Sequence, residues 1–118
     1  MIETGLARLL TTPARLAGRR YGLLSHGASV FASDAAGSNL GALGALQPAH
    51  RALHNAGSPP AALFGPEHGF YGVEQDMVAA AGGRDPWTGV PTCSLYGASV
   101  ESLTPAPEAF QGLDLLII

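Results

Sequence analysis

Short apolar runs, each cut off by glycine, proline or small polar residues, constrain this chain more than any other feature. Tyr21-Gly22-Leu23-Leu24-Ser25, Ala61-Ala62-Leu63-Phe64, Val90 to Leu95 and Leu113-Asp114-Leu115-Leu116-Ile117-Ile118 are short and continuously apolar. That pattern suits strands covered on both faces, as in a parallel sheet. Helical patterns lie between them. Leu6, Leu9 and Leu10 follow helical spacing before Pro13. Ala49, Leu53 and Ala56 repeat on one face between Pro48 and Gly57, and Pro107 to Gln111 forms a short helix before Gly112. Strands alternating with helices predict β-α-β units and an α/β fold built on a mostly parallel sheet of about four strands.

Two stretches do not fit that alternation. His26 to Gly44 is rich in Gly, Ser, Ala, Asn and Asp and reads as a loop, either functional or disordered at such a length. Phe70 to Gly89 is mixed, with a helical turn around Glu74 to Ala80 and a loop at Gly82-Gly83-Arg84-Asp85-Pro86. The last run, ending at Ile118, is of the kind found in the middle of a parallel sheet. A complete α/β domain would continue into a loop and a covering helix, so the expectation is a truncated domain spanning residues 1–118.

At 118 residues the chain suits one domain, since a domain takes roughly 100 to 200 residues. With 47% hydrophobic and 13% charged residues it is too apolar for a disordered tail. A net charge of -3 with dispersed arginines offers no basic stripe for phosphates, so no nucleic acid partner is expected. Cys93 is the only cysteine, which excludes an internal disulfide; in an apolar strand it reads as a small buried residue. Glu3 stands where a signal peptide has its basic start, and no apolar run approaches the roughly 20 residues of a membrane helix. The expectation is therefore no cleaved signal, no membrane span and a cytoplasmic location.

Ligands of open parallel sheets bind beyond the carboxyl ends of the strands, and Glu67 and His68 directly follow the second run. Gly65 and Gly69 allow a sharp turn and a close approach to a ligand, while Pro66 stiffens the presentation of Glu67. A carboxylate held there can act as general acid or base, and a neighbouring imidazole can orient it. The competing structural reading makes Pro66-Glu67 a helix start. His26 ends the first strand at the same edge. Trp87 and Tyr96 could stack on a sugar ring, though large aromatics more often pack in or near a core. His50 and His54 have a zinc-compatible spacing but no acid between them, so both read as a solvated helix edge. Gly22, Gly27 and Gly37 do not form the dinucleotide fingerprint, so neither a nicotinamide nor any other cofactor is expected.

Leu63-Phe64-Gly65-Pro66-Glu67-His68-Gly69-Phe70 and Ser94-Leu95-Tyr96-Gly97 resemble the two characteristic stretches of the exo-β-N-acetylmuramidase (NamZ-like) family. Asp85-Pro86-Trp87-Thr88-Gly89-Val90-Pro91 resembles its Asp-Pro-x-Thr-Gly-x-Pro link. One departure is Ser25-His26-Gly27-Ala28-Ser29, where the family often has Thr-Asn and a small-residue loop. The resemblance implies a Rossmann-like domain with helices on both faces of the sheet. It also implies release of N-acetylmuramic acid from the non-reducing end of peptidoglycan fragments, so the partner is a muropeptide or disaccharide. On this reading Glu67 is the catalytic glutamate, supported by His68, with His26, Gly65, Gly69 and Tyr96 contacting substrate and no metal. A C-terminal domain absent from this chain would complete the cleft. Glycosidases commonly pair two carboxyls about 5 to 9 Å apart. Glu74 and Asp76 are candidates for the second within this chain, and both read better as a solvated face.

Overall fold

The computed structural model describes residues 3–32, 46–66, 69–72 and 82–118. Helix α1 (Gly5–Thr11) starts where the Thr4 hydroxyl accepts a hydrogen bond from the Ala7 N–H at 3.1 Å, a serviceable N-cap. Pro13 ends it by opening a 3₁₀ turn, Pro13–Arg15. Strand β1 (Tyr21–Leu24) follows, then β2 (Val30–Ala32), β3 (Leu46–Pro48) and helix α2 (Ala49–Asn55). Beyond α2, Gly57 takes the left-handed conformation, φ 77°, that lets the chain reverse toward β4 (Ala62–Gly65). Strands β5 (Gly83–Arg84) and β6 (Pro91–Ser94), 3₁₀ turns at Glu101–Leu103 and Pro107–Phe110, and β7 (Leu115–Ile117) complete the described chain.

The four apolar runs are the four parallel strands, in the order β6-β4-β1-β7, with β5 added antiparallel outside β6. The long stretch after β1 is not all loop. Val30 pairs with Pro48 and Ala32 with Leu46, so β2 and β3 form a small antiparallel sheet of their own. Proline is tolerated there because a two-stranded ribbon has an edge on each side.

Register sorts the sheet's two faces, since partners across a parallel ladder point the same way and alternate along each strand. Tyr21, Leu23 and Leu63 lie on one face with Leu115 and Ile117, covered by Leu6, Leu9 and Leu10 of α1, by Leu16 after the 3₁₀ turn and by Leu53 of α2. Phe64 lies on the other face, fully buried, its ring stacked on Phe110 from the last 3₁₀ turn at 5.0 Å. Gly22 makes room for it, because a Cβ there would sit 2.6 Å from the Phe64 ring. Burying a phenylalanine stabilises by about 1.5–3 kcal/mol, which a bulkier residue at 22 would forfeit.

Other links seal the strand ends. The Tyr21 hydroxyl donates to the Ser58 carbonyl, and burial pushes its pKa up to about 12. At the entry to β7 the Asp114 side chain accepts from the Arg20 N–H at 2.7 Å. Cys93 is half-buried rather than enclosed, because β6 lies near the edge of the sheet with only β5 beyond it. Among the described residues no helix is long and apolar enough to cross a membrane.

Candidate active site

The carboxyl ends of β1, β4 and β6 are tied to one another by main-chain hydrogen bonds. The Ser25 N–H donates to the Phe64 carbonyl at 3.1 Å and the Leu95 N–H to the Gly65 carbonyl at 2.8 Å. The loops that leave these strands therefore start side by side. His26 leaves β1, Gly65 and Pro66 leave β4, and Tyr96 leaves β6. Glu67, His68, Glu74 and Asp76 lie outside the described residues, as does the expected helical turn at 74–80.

What holds the Glu67-His68 loop can be read from its two sides. The Gly69 N–H donates to the Pro66 carbonyl at 3.0 Å, so the chain turns back within three residues. Gly69 itself has φ 74°, a conformation that strongly favours glycine. Gly65 is needed for a different reason. A Cβ there would fall 2.3 Å from the Phe70 nitrogen, so the room made by the missing side chain is filled by this chain's own backbone. Gly27 does the same for the next residue, since its Cβ would lie 2.9 Å from the Tyr71 carbonyl oxygen.

His26 is exposed, and its Nδ1 accepts a hydrogen bond from the Ala28 N–H at 3.0 Å. A neutral ring bonded this way carries its proton on Nε2, which makes that atom a donor. Tyr96 is half-buried; its N–H donates to the Ser94 hydroxyl at 3.1 Å, and that hydroxyl donates to the Tyr96 carbonyl at 2.8 Å. Ser94 is thus engaged in shaping the exit of β6.

Beneath this edge lies a group that the sequence did not disclose. The buried Asp85 carboxylate accepts from the Tyr71 hydroxyl at 2.6 Å and from the Thr88 N–H and hydroxyl at 2.6 and 2.5 Å. His50 Nε2 lies 3.3 Å from the same carboxylate, off the hydrogen-bonding direction and without a hydrogen-bond partner among the described residues. Burial raises the Asp85 carboxyl, but hydrogen bonds from Thr88 and then Tyr71 outweigh it and leave the group below the ordinary carboxylate range. Burial likewise lowers His50, only partly countered by Asp85, so the imidazole is neutral. Tyr71 is raised by burial and by its bond to Asp85.

His50 corrects the expectation of a solvated helix edge. The inward face of α2 holds Ala49, His50, Ala52 and Leu53, rather than the stripe through Ala49, Leu53 and Ala56; Ala56 caps the helix and is exposed. His54 remains exposed, so the two imidazoles do not share an environment. Trp87 departs from the expectation of a packed aromatic: it is 60% exposed, with the Arg51 guanidinium 4.9 Å above its ring and Tyr71 edge-on at 6.3 Å.

The motif Asp85-Pro86-Trp87-Thr88-Gly89 gains a physical meaning here. Asp85 bonds Thr88 while the Gly89 N–H returns to the Asp85 carbonyl at 2.8 Å, with Gly89 at φ 71°. An aspartate that bonds the backbone a few residues ahead is a known turn-maker, and that was the available signal in the sequence. The partners Tyr71 and His50 carried none.

An aliphatic cavity of about 540 Å³ lies elsewhere, under α1, lined mainly by Leu6, Leu9, Leu16, Leu23, Leu115 and Ile117. It reaches Ser25 and Ser29 near the β1 exit. A sugar site needs convergent polar groups, and these walls are mainly hydrocarbon, so the cavity does not suit a sugar.

The fold defines a Rossmann-like α/β domain in which the carboxyl ends of β1, β4 and β6 lie side by side. The family described as Exo-beta-N-acetylmuramidase NamZ, N-terminal, matches residues 34–118, and the chain belongs to that family. It is 32% identical over 117 residues to peptidoglycan beta-N-acetylmuramidase NamZ of Bacillus subtilis (strain 168), covering 98% of this chain and 25% of that protein. The crystal structure of a DUF1343 family protein from Bacteroides fragilis superposes with a TM-score of 0.69 at 29% identity, over 97% of this chain and 24% of that one. The chain thus spans about a quarter of the length of the relatives it matches. The description of that family and the name of the Bacillus subtilis relative are those of N-acetylmuramidases, enzymes of the glycoside hydrolase class.

Proposed function

We propose that this chain is the Rossmann-like part of an exo-acting glycosidase that releases N-acetylmuramic acid from the non-reducing end of peptidoglycan fragments. Glu67 serves as the acid/base group and His68 supports it. His26, through its Nε2 proton, and Tyr96 approach the sugar from the neighbouring strands. Gly65 and Gly69, expected from the sequence to contact substrate, contribute by shaping the turn: Gly65 admits the Phe70 backbone and Gly69 takes the positive φ. The observation that carries this reading is the turn from Pro66 to Gly69, which follows directly from the buried end of β4 and is framed by the exits of β1 and β6. An acid in that turn stands at the crevice where such sheets bind ligands.

The remaining walls of the cleft, and a second carboxyl if the reaction uses one, come from chain beyond this quarter of the relatives' length. The test is a chromogenic muramic acid glycoside, assayed with this chain alone and with the C-terminal part of a family member supplied. Glu67→Gln keeps the side-chain volume but cannot exchange a proton, so turnover should fall by about 10² to 10⁴ with an unchanged melt. Unchanged turnover with a slightly lower melt would instead mark Glu67 as a helix-start residue.

A further inference from the structure

A carboxylate sealed from water is costly, and apolar residues of similar volume often stabilise a core as well or better. Asp85 therefore calls for a reason beyond packing. Its partners come from separate parts of the chain: Tyr71 from the segment just after the candidate catalytic turn, Thr88 from the turn before β6, and His50 from α2. The same segment, residues 69–72, is gripped by its backbone too. Phe70 is pressed against Gly65, and the Tyr71 carbonyl against Gly27. The Phe70 ring, buried, meets the His50 ring edge-on at 5.0 Å. The Gly72 N–H closes the segment by donating to the Gly69 carbonyl at 3.1 Å.

We propose that Tyr71, Asp85 and His50 position the catalytic turn: the Tyr71 hydroxyl, anchored on the buried Asp85 carboxylate beside His50, holds residues 69–72 and thereby the exit of the Glu67-His68 loop. On this assignment all three are positioning residues rather than catalytic ones. Their effect is geometric. Catalysis by an oriented acid is steep in distance, a misplacement of about 1 Å costing on the order of 10²-fold in rate. The entrance to the loop needs no such device, because Gly65 is already in the sheet. The exit does, since no strand follows Gly69 directly. The aim of the network is thus to make the second end of the loop as rigid as the first. This inference rests on the reading of Glu67 as the acting acid.

Tyr71→Phe removes only the hydroxyl and keeps the ring against Phe70 and Trp87. In the chain as it stands, amide hydrogen exchange at Gly69 and Gly72 should quicken by about tenfold or more, while Ser25 and Leu95, bonded within the sheet, stay as they were. In whichever preparation turns over the glycoside, kcat should fall by about 10- to 100-fold with KM within about twofold of its starting value. Thr88→Val should move both readouts in the same direction and Thr88→Ser, which keeps the hydroxyl, should restore them. Unchanged exchange at Gly69 and Gly72 overturns the proposal. So does quickened exchange with undiminished kcat. If no preparation turns over at all, the glycosidase reading fails, and the exchange data alone still judge whether the network holds the turn.

Discussion

Around Gly65 the chain closes on itself through backbone contacts and a carboxylate that accepts three hydrogen bonds, whereas around β7 it leaves an aliphatic cavity and a strand edge that pairs with no described strand. Both regions belong to one sheet and share β1's neighbourhood. The first is held by directional bonds, which permit one geometry; the second by aliphatic contacts, which tolerate several. Leu116 and Ile118 are exposed at that second edge, 38% and 89%; Tyr71 and Trp87 are exposed at the first, 38% and 60%, but there Tyr71 is fixed by its hydroxyl and Trp87 lies under the Arg51 guanidinium. The difference teaches where precision is concentrated in this domain: at the ends of β1, β4 and β6, where chemistry is proposed.

The sharpest way to break the contrast is to remove its anchor. Asp85→Ala leaves the Tyr71 hydroxyl and both Thr88 donors without their acceptor. Tyr71 is part-exposed and Thr88 half-buried, so each stranded donor costs near the lower end of about 1–3 kcal/mol and the three together about 3 kcal/mol. Chemical denaturation reads this as a large drop in midpoint. A loss below about 1 kcal/mol would mean that water reaches these groups and that the region is no tighter than the β7 side.

The opposite change tests the loose region. Leu9→Phe adds a ring beside the cavity under α1 and should raise stability by about 0.5–2 kcal/mol, seen as a higher midpoint at constant slope. A lower midpoint would show that the space is already closed in solution, and the two regions would then be equally packed.

Acid offers the smallest and most selective probe. His50 is lowered from its ordinary 6.5, so the fold binds fewer protons than the unfolded chain. The stability tied to its neutral form is present above 6.5 and is lost as pH falls through its folded value. Asp85, lowered from 3.8, adds a second loss below that value. The melting temperature should therefore decline in two stages toward acid, and His50→Gln should erase the upper one. A flat wild-type profile between pH 7 and 5 would show that His50 is not desolvated.

Much of the fold could be read before the structure. Leu23-Leu24, Leu63-Phe64 and Leu115 to Ile117 announce buried parallel strands because a strand covered on both faces has no reason to alternate. The β2–β3 ribbon gave no such cue: Val30-Phe31-Ala32 is brief, and Pro48 disguises the end of β3 as a helix start, which it also is. The site divides the same way. Gly65, Gly69, His26 and Tyr96 could be placed at strand ends from pattern and family resemblance together. Asp85, Tyr71 and His50 could not be joined, because a side-chain network between distant segments leaves no periodicity in the sequence. His50 was moreover hidden by its companion, since the spacing to His54 drew attention to metal binding rather than to burial.

The order of the strands also carries a consequence in time. The interior strand β1 is closed on one side by a partner reached after a short excursion, since Tyr21 bonds Ser58 across 37 positions. It is closed on the other only when Asp114 returns to Arg20 across 94. The extra loop-closure cost is small, about 0.6 kcal/mol per doubling of length, but contacts between nearer segments form sooner. We therefore predict that the crevice side matures first during refolding while β7 docks last. Pulse-labelled hydrogen exchange should find the amides between β1 and β4 protected before those between β1 and β7, and simultaneous protection would show that the sheet assembles in one step.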